Sequence, residues 1–264
     1  MFAATVKLFT GNIRSEFSVS HYFPVLRHQL DFAAFPLSRP FQPHLTRSSS
    51  KLKVPVTMAS FPDQKTFTEM AGDYDAIPIT RRLLSDSLTP VSAFRRIDNG
   101  RTACLFESVI GGENVGRYSF LAIDPQVQVA SFGNRVTLTE DGTSDSYHSD
   151  NPLEEIRRRI NLYKVAQFSD MPPFTGGAVG YAGYDVVRYV EDLPNAPDDD
   201  RDLPDMSFAF YDRMLVFDHI TKTITVVALA WTKKHESLDA AFEDAFQTKF
   251  GLSQPQQELV RSES

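Results

Sequence analysis

Apolar and polar positions divide the chain into two regimes. Up to about residue 60 no turn-bounded amphipathic pattern is present, whereas from Phe67 onward short apolar runs alternate with turn residues. Asp75-Ala76-Ile77-Pro78 followed by Leu83 and Leu84 predicts a short helix with Pro78 in its first turn, ended by Thr89-Pro90. Residues 91–97, 102–109 and 118–123 are rich in β-branched and aromatic side chains and read as strands separated by Asp98-Asn99-Gly100 and Gly111-Gly112. Residues 127–132 and 135–139 alternate around Gly133-Asn134, which predicts a two-residue hairpin with one wet face.

The clearest helix signal starts at Asp150-Asn151-Pro152, where a side-chain oxygen can cap and proline can take the first helical position. Leu153, Ile156, Ile160 and Tyr163 make one stripe, which should lie on a sheet, with Glu154–Arg158 and Glu155–Arg159 pairs outside. Residues 176–181, rich in glycine, predict a strand that another backbone approaches closely. Residues 185–191 should turn helical and 191–205, with Pro194, Pro197 and Pro204, should form an exposed loop. Residues 206–217 and 223–231 predict a hairpin of long strands, buried on both faces because their apolar residues are nearly continuous. A last helix over 237–246 places Leu238, Ala241, Phe242, Ala245 and Phe246 on one face, and 251–264 is a polar tail.

Charge follows the same division. Residues 1–60 hold seven Lys and Arg against Glu16 and Asp31, a net of +5, whereas the other 204 residues carry 20 basic and 32 acidic side chains. Ser, Thr and Phe enrichment without a compact apolar core gives 1–60 the composition of an organelle transit peptide, or else of a plain basic arm. Either reading puts it outside the fold. The whole-chain charge of −7 disfavours nonspecific attraction to nucleic acid or anionic lipid, and no apolar run reaches the roughly 18 residues of a spanning helix. One cysteine, Cys104, allows no internal disulfide.

Few residues suggest chemistry by pattern alone. The glycines of 176–183 lack both G-x-G-x-x-G and the Gly-Lys-Ser/Thr ending of a phosphate loop. Asp198, Asp199 and Asp200 read as a solvated charge run rather than a metal site, and His219 and His235 stand apart from any nucleophile. The end of the strand over 102–108 is more informative: Glu107 and Ser108 place a carboxylate and a hydroxyl where the preceding residues look buried on both sides. A buried carboxylate needs a cationic partner. Arg117 beyond the Gly111-Gly112 turn is one; the ammonium of a bound amino acid is another, with Tyr118 and Ser119 nearby.

Leu105-Phe106-Glu107-Ser108, Gly116-Arg117-Tyr118-Ser119-Phe120, Gly176-Gly177-Ala178-Val179-Gly180-Tyr181 and Tyr184-Asp185-Val186-Val187-Arg188, in that order, resemble the amino-terminal region of the anthranilate synthase alpha subunit (component I), plant type, over about 67–246. The resemblance implies an α+β fold, antiparallel sheets flanked by helices, over 67–250, as in the amino-terminal part of the chorismate-utilising enzymes. It implies a plastid (chloroplast) enzyme that converts chorismate, with ammonia from a glutamine amidotransferase (beta) subunit, into anthranilate and pyruvate. It also implies feedback inhibition by L-tryptophan, with Glu107 and Ser108, in the family's Leu-Leu-Glu-Ser position, and Tyr118 as site residues. The family's chorismate- and Mg²⁺-binding residues belong to its carboxy-terminal region, so no catalytic or metal residue carries over and the chain reads as a truncated portion inactive alone. A stand-alone module binding the amidotransferase subunit or an amino acid without catalysis is the other reading.

Overall fold

The computed structural model describes residues 60–247 except 85–87, 99, 108–116, 196–198, 200 and 201, together with the backbone of 7–10 and 13–16. In chain order the elements are β1 (Lys7–Thr10), β2 (Ile13–Glu16), α1 (Gln64–Met70), β3 (Ala76–Leu84), α2 (Pro90–Ile97), β4 (Ala103–Glu107), β5 (Tyr118–Ile123), β6 (Val127–Phe132), β7 (Arg135–Glu140) and β8 (Thr143–His148). There follow α3 (Pro152–Ile160), β9 (Gly177–Ala182), a 3₁₀ turn over Tyr184–Tyr189, β10 (Met206–Tyr211), β11 (Arg213–Asp218), β12 (Thr223–Trp231) and α4 (Leu238–Gln247).

The strands form two antiparallel sheets, ordered β2-β1-β9-β10-β6-β7-β8 and β3-β12-β11-β5-β4. Helix α3 covers the outer face of the first sheet over a core of Val129, Val136, Ile156, Ala178, Met206 and Phe208. Val179, Ala209 and Tyr211 of the first sheet meet Phe120, Met214, Val216 and Val227 of the second. On the far side of the second sheet, α1, α2 and α4 pack through Phe67, Ala93, Ala241 and Phe242 onto Ile77, Leu121, Leu215 and Val226. The result is a four-layer α/β/β/α sandwich, so the expected α+β class with antiparallel sheets and flanking helices holds. Because β11 and β12 are covered on both faces, both alternating sets along them are apolar.

Three local expectations are corrected. Ala76–Leu84 is a strand, not a helix: it pairs with β12 over nine residues, and as an edge strand it tolerates Pro78, which has no N–H to give. Pro90–Ile97 is a helix, not a strand, because Thr89 and Ser92 form a reciprocal capping box and Pro90 sits in the first turn. The stretch 206–217 is two strands, one in each sheet, with the buried Asp212 at the crossing and its carbonyl accepting from Leu229 N–H at 2.7 Å.

Other expectations hold with adjustments. Asn151 caps α3 through Leu153 N–H, and α3 lies on β9. Glu155, expected outside, is turned inward between Arg158 at 2.6 Å and Arg159 at 3.0 Å, while Glu154 pairs with Arg157. Gly180 is the close approach: a Cβ there would stand 2.0 Å from the Ser207 carbonyl oxygen. Strands β8, β1 and β2 are not anticipated by the pattern of the sequence, β8 because it carries no apolar alternation. Hairpin β7–β8 turns at Asp141-Gly142 with β8 wholly exposed, and β1–β2 adds to the first sheet through Phe9 opposite Ala178, so these eight residues of the segment expected outside the fold pair with it. Among the described residues no helix is long and apolar enough to cross a membrane.

Candidate functional site

A cavity of about 590 Å³ opens between the two sheets where the 163–177 segment crosses their ends; Tyr118, Tyr163, Phe210, Asp212, Trp231 and Lys234 are among its lining residues. This falls within the size range of small-molecule sites; six aromatic residues and three prolines share its lining with polar and charged groups that include Gln126, Glu140, Arg159, Asp212 and Lys234. Gly176 helps keep it open, because its φ of +152° suits glycine and a Cβ would meet Leu229 Cδ1 at 2.8 Å.

Two polar clusters flank the cavity. At one end, buried Asp212 accepts from the Gln126 amide, Gln126 Oε1 accepts from Lys234 Nζ at 3.3 Å, and that ammonium lies 4.0 Å from the Trp231 ring centroid. Tyr163 packs edge-on to Trp231 at 4.8 Å. At the other end, Arg117 donates to Asp218 Oδ2 from Nε at 3.1 Å and Nη2 at 2.8 Å and lies 4.8 Å from the Tyr118 ring centroid. Burial alone would raise the Asp218 carboxyl, but the Arg117 bond and the Thr221 and Ile220 N–H groups hold it below its ordinary value. Burial pushes the Tyr118 phenol up against the opposing pull of Arg117.

Of the three sequence-predicted site residues, Ser108 lies outside the described residues. Glu107 ends β4 opposite Ser119 and is exposed, not buried: β4 is an edge strand, intermediate in burial until that last residue. The internal Glu107–Arg117 pair is also corrected, since Arg117 bridges to Asp218. Tyr118 lines the cavity and packs with Phe106 and Phe120 in the inter-sheet core. Leu105 packs on the opposite, helix-covered face, which by alternation is the face of Glu107. The structure therefore brings Glu107 and Tyr118 to one end of one sheet but not to one face. Sequence reasoning missed His219, whose Nε2 stands 2.7 Å from Ser119 Oγ, and missed Trp231, Tyr163 and Lys234. The aromatic residues lie 68 positions apart, and no spacing rule joins them.

Among the described residues no group of three or more His, Cys, Asp or Glu side chains is arranged to hold a metal ion. Cys104 is half-buried, facing Tyr211 and Ala122, and desolvation pushes its thiol up to about 12, the opposite of what a nucleophile requires.

Two antiparallel sheets flanked by helices, with a cavity between the sheets, define an α+β protein. The chain belongs to the chorismate binding enzyme family, whose model matches residues 102–263. Within it the likeness is to anthranilate synthase component I. The chain is 40% identical over 158 residues to anthranilate synthase component 1 of Acetivibrio thermocellus, a span that is 60% of this chain and 32% of that one. It is 33% identical over 218 residues to the chloroplastic anthranilate synthase alpha subunit 2 of Arabidopsis thaliana, covering 76% of this chain and 35% of that one. The solved anthranilate synthase component I of Streptococcus pneumoniae TIGR4 matches with a TM-score of 0.38 at 27% identity, over 61% of this chain and 35% of that one, too loosely to bear on the fold. The chain thus spans about a third of the length of the curated relatives it matches.

Proposed function

We propose that this chain serves as the amino-terminal, regulatory and structural portion of an anthranilate synthase alpha subunit. In this reading L-tryptophan enters the cavity beside Tyr118, Ser108 supplies a hydroxyl to the amino acid, and Glu107, on the other face of the strand end, attracts the ammonium through solvent. The observation that supports it is Tyr118 lining a cavity of about 590 Å³ at the sheet end that also carries Glu107. A side chain with an apolar ring and a charged head suits such a site, the ring going to the aromatic wall and the head staying near the open edge.

The reaction that this portion supports is the Mg²⁺-dependent conversion of chorismate to anthranilate and pyruvate. Ammonia comes from a glutamine amidotransferase partner. The chloroplastic names of plant relatives, together with the basic, Ser- and Phe-rich composition of residues 1–60, support a plastid location in which that segment acts as the address.

Equilibrium dialysis of radiolabelled L-tryptophan against the full chain tests the regulatory part: saturable binding that Tyr118→Ala weakens more than ten-fold without abolishing it is the expected result. Anthranilate fluorescence with chorismate, ammonium and Mg²⁺ tests the catalytic part. Steady turnover abolished by a single substitution within 67–246 would show that the chain is an enzyme on its own and overturn the assignment.

A further inference from the structure

Tyr118 is held by a device that does not itself touch the cavity. Asp218, the last residue of β11, accepts from the backbone N–H groups of Ile220 at 2.9 Å and Thr221 at 3.1 Å through Oδ1, which leaves Oδ2 for the two bonds from Arg117. Arg117 in turn covers the Tyr118 ring. His219 N–H donates to the Arg117 carbonyl at 2.8 Å, and its Nε2 is paired with Ser119 Oγ, a hydroxyl on a residue only 1% exposed. The residues before and after Tyr118 are thus each tied to the turn that joins β11 to β12. An aromatic side chain at a cavity mouth otherwise loses rotamer freedom when a ligand orders it.

We propose that Asp218 and His219 are positioning residues that pre-order Tyr118 toward the cavity through Arg117 and Ser119, so that the β11–β12 turn sets ligand affinity without contacting the ligand. The inference rests on the reading of Tyr118 as part of the tryptophan site. Neither residue lines the cavity; each fixes one neighbour of the phenol. Their effect should therefore vanish when the phenol is absent, which a general loss of stability would not do.

The experiment combines dialysis of radiolabelled L-tryptophan against the full chain with NMR of the Tyr118 ring in tyrosine-labelled protein and with thermal unfolding. Asp218→Asn and His219→Ala should each weaken binding roughly ten-fold and shift the Tyr118 ring signal, while unfolding stays cooperative. His219→Gln, whose amide can still reach Ser119, should stay within about three-fold of the wild type. In a Tyr118→Ala background Asp218→Asn should add nothing. If His219→Ala fails to fold, Arg117→Gln, acting at a side chain 42% exposed, carries the same expectation. An unmoved ring signal in Asp218→Asn, or losses that add to that of Tyr118→Ala, overturns the proposal. A wild-type chain that binds no tryptophan, with a ring signal that still shifts in Asp218→Asn, overturns the tryptophan reading and leaves the positioning role standing.

Discussion

Glu107 and Tyr118 come within one strand of each other at the end of the second sheet, yet they belong to opposite faces of it. The cavity lies on the Tyr118 face. Glu107, exposed at the strand end, can act on a ligand there only through solvent-screened attraction, for which about 0–1 kcal/mol is typical. Glu107→Gln should therefore weaken tryptophan binding by no more than about five-fold, whereas Tyr118→Ala, which removes a wall, should cost more than ten-fold. Dialysis with each variant separates the two; equal losses would mean that Glu107 reaches into the cavity after all.

Gly180 should be the least replaceable glycine of the first sheet. Besides the Ser207 oxygen at 2.0 Å, a Cβ would meet Phe208 Cα at 2.6 Å, and neither backbone atom can move without breaking the β9–β10 ladder. Gly180→Ala should destabilise the chain by more than about 3 kcal/mol, beyond the 1–3 kcal/mol usual for added core bulk because it is backbone that must yield. Urea unfolding measures this, and a loss below 1 kcal/mol would show that the two strands can part.

Much of this architecture is legible in the sequence, and the misreadings have identifiable physical causes. Asn151-Pro152, Gly133-Asn134 and the double-faced apolar runs of β11 and β12 each state their structure locally, through a cap, a turn or burial. Leu83-Leu84 and Val91 misled because propensity is weaker than context: pairing with β12 overrides the first, and the Thr89–Ser92 box the second. The site divides in the same way. Tyr118 stands in a recognisable run, but the burial of Glu107 was inferred from apolar neighbours on a strand that is in fact an edge. The Tyr163–Trp231 wall and the Ser119–His219 bond are products of tertiary folding across 68 and 100 positions, and no local pattern encodes them.

The ion pair between Arg213 and Asp244 fastens α4 to the start of β11. Arg213 Nη2 donates to Asp244 at 2.6 Å with the Arg213 side chain 7% and Asp244 34% exposed. Breaking a fully enclosed pair costs about 3–5 kcal/mol, so with one partner partly in water Asp244→Ala should cost about 2–3 kcal/mol. Replacing both residues by apolar ones of similar size, Arg213→Met with Asp244→Leu, should cost less than the single change. A double-mutant cycle in urea checks the order; an additive result would show that the pair does not couple.

Cys104 should be silent in the folded protein. With its thiol pushed up to about 12 by burial and set against Tyr211, almost no thiolate exists near pH 7. A disulfide-exchange reagent should label it only at the rate of unfolding, and labelling in 6 M urea should be complete within the mixing time. Fast stoichiometric reaction of the native chain would show that the Cys104 region opens locally.

Stability should fall at both ends of the pH scale for different reasons. The Lys233 ammonium and the Lys164 N–H hold the Asp75 carboxyl below its ordinary 3.8, and Asp218 is held low despite its burial. A carboxyl lowered on folding contributes stability that is present above its unfolded value and lost as pH falls through the folded one, so this part should disappear below about pH 4. Cys104 and Tyr211 are raised, chiefly by burial, so their share is present below their unfolded values and lost as pH climbs past about 9. The thermal midpoint should accordingly be flat from about pH 5 to 8 and drop on either side. Asp75→Asn should flatten the acid limb by removing one of the carboxyls that titrate there, and Cys104→Ala should flatten the alkaline limb. The two effects should be separable, since each residue titrates where the other is silent: an acid limb unchanged in Asp75→Asn would mean that the Lys233 bridge, 2.6 Å long but with the lysine 76% exposed, contributes nothing to folding.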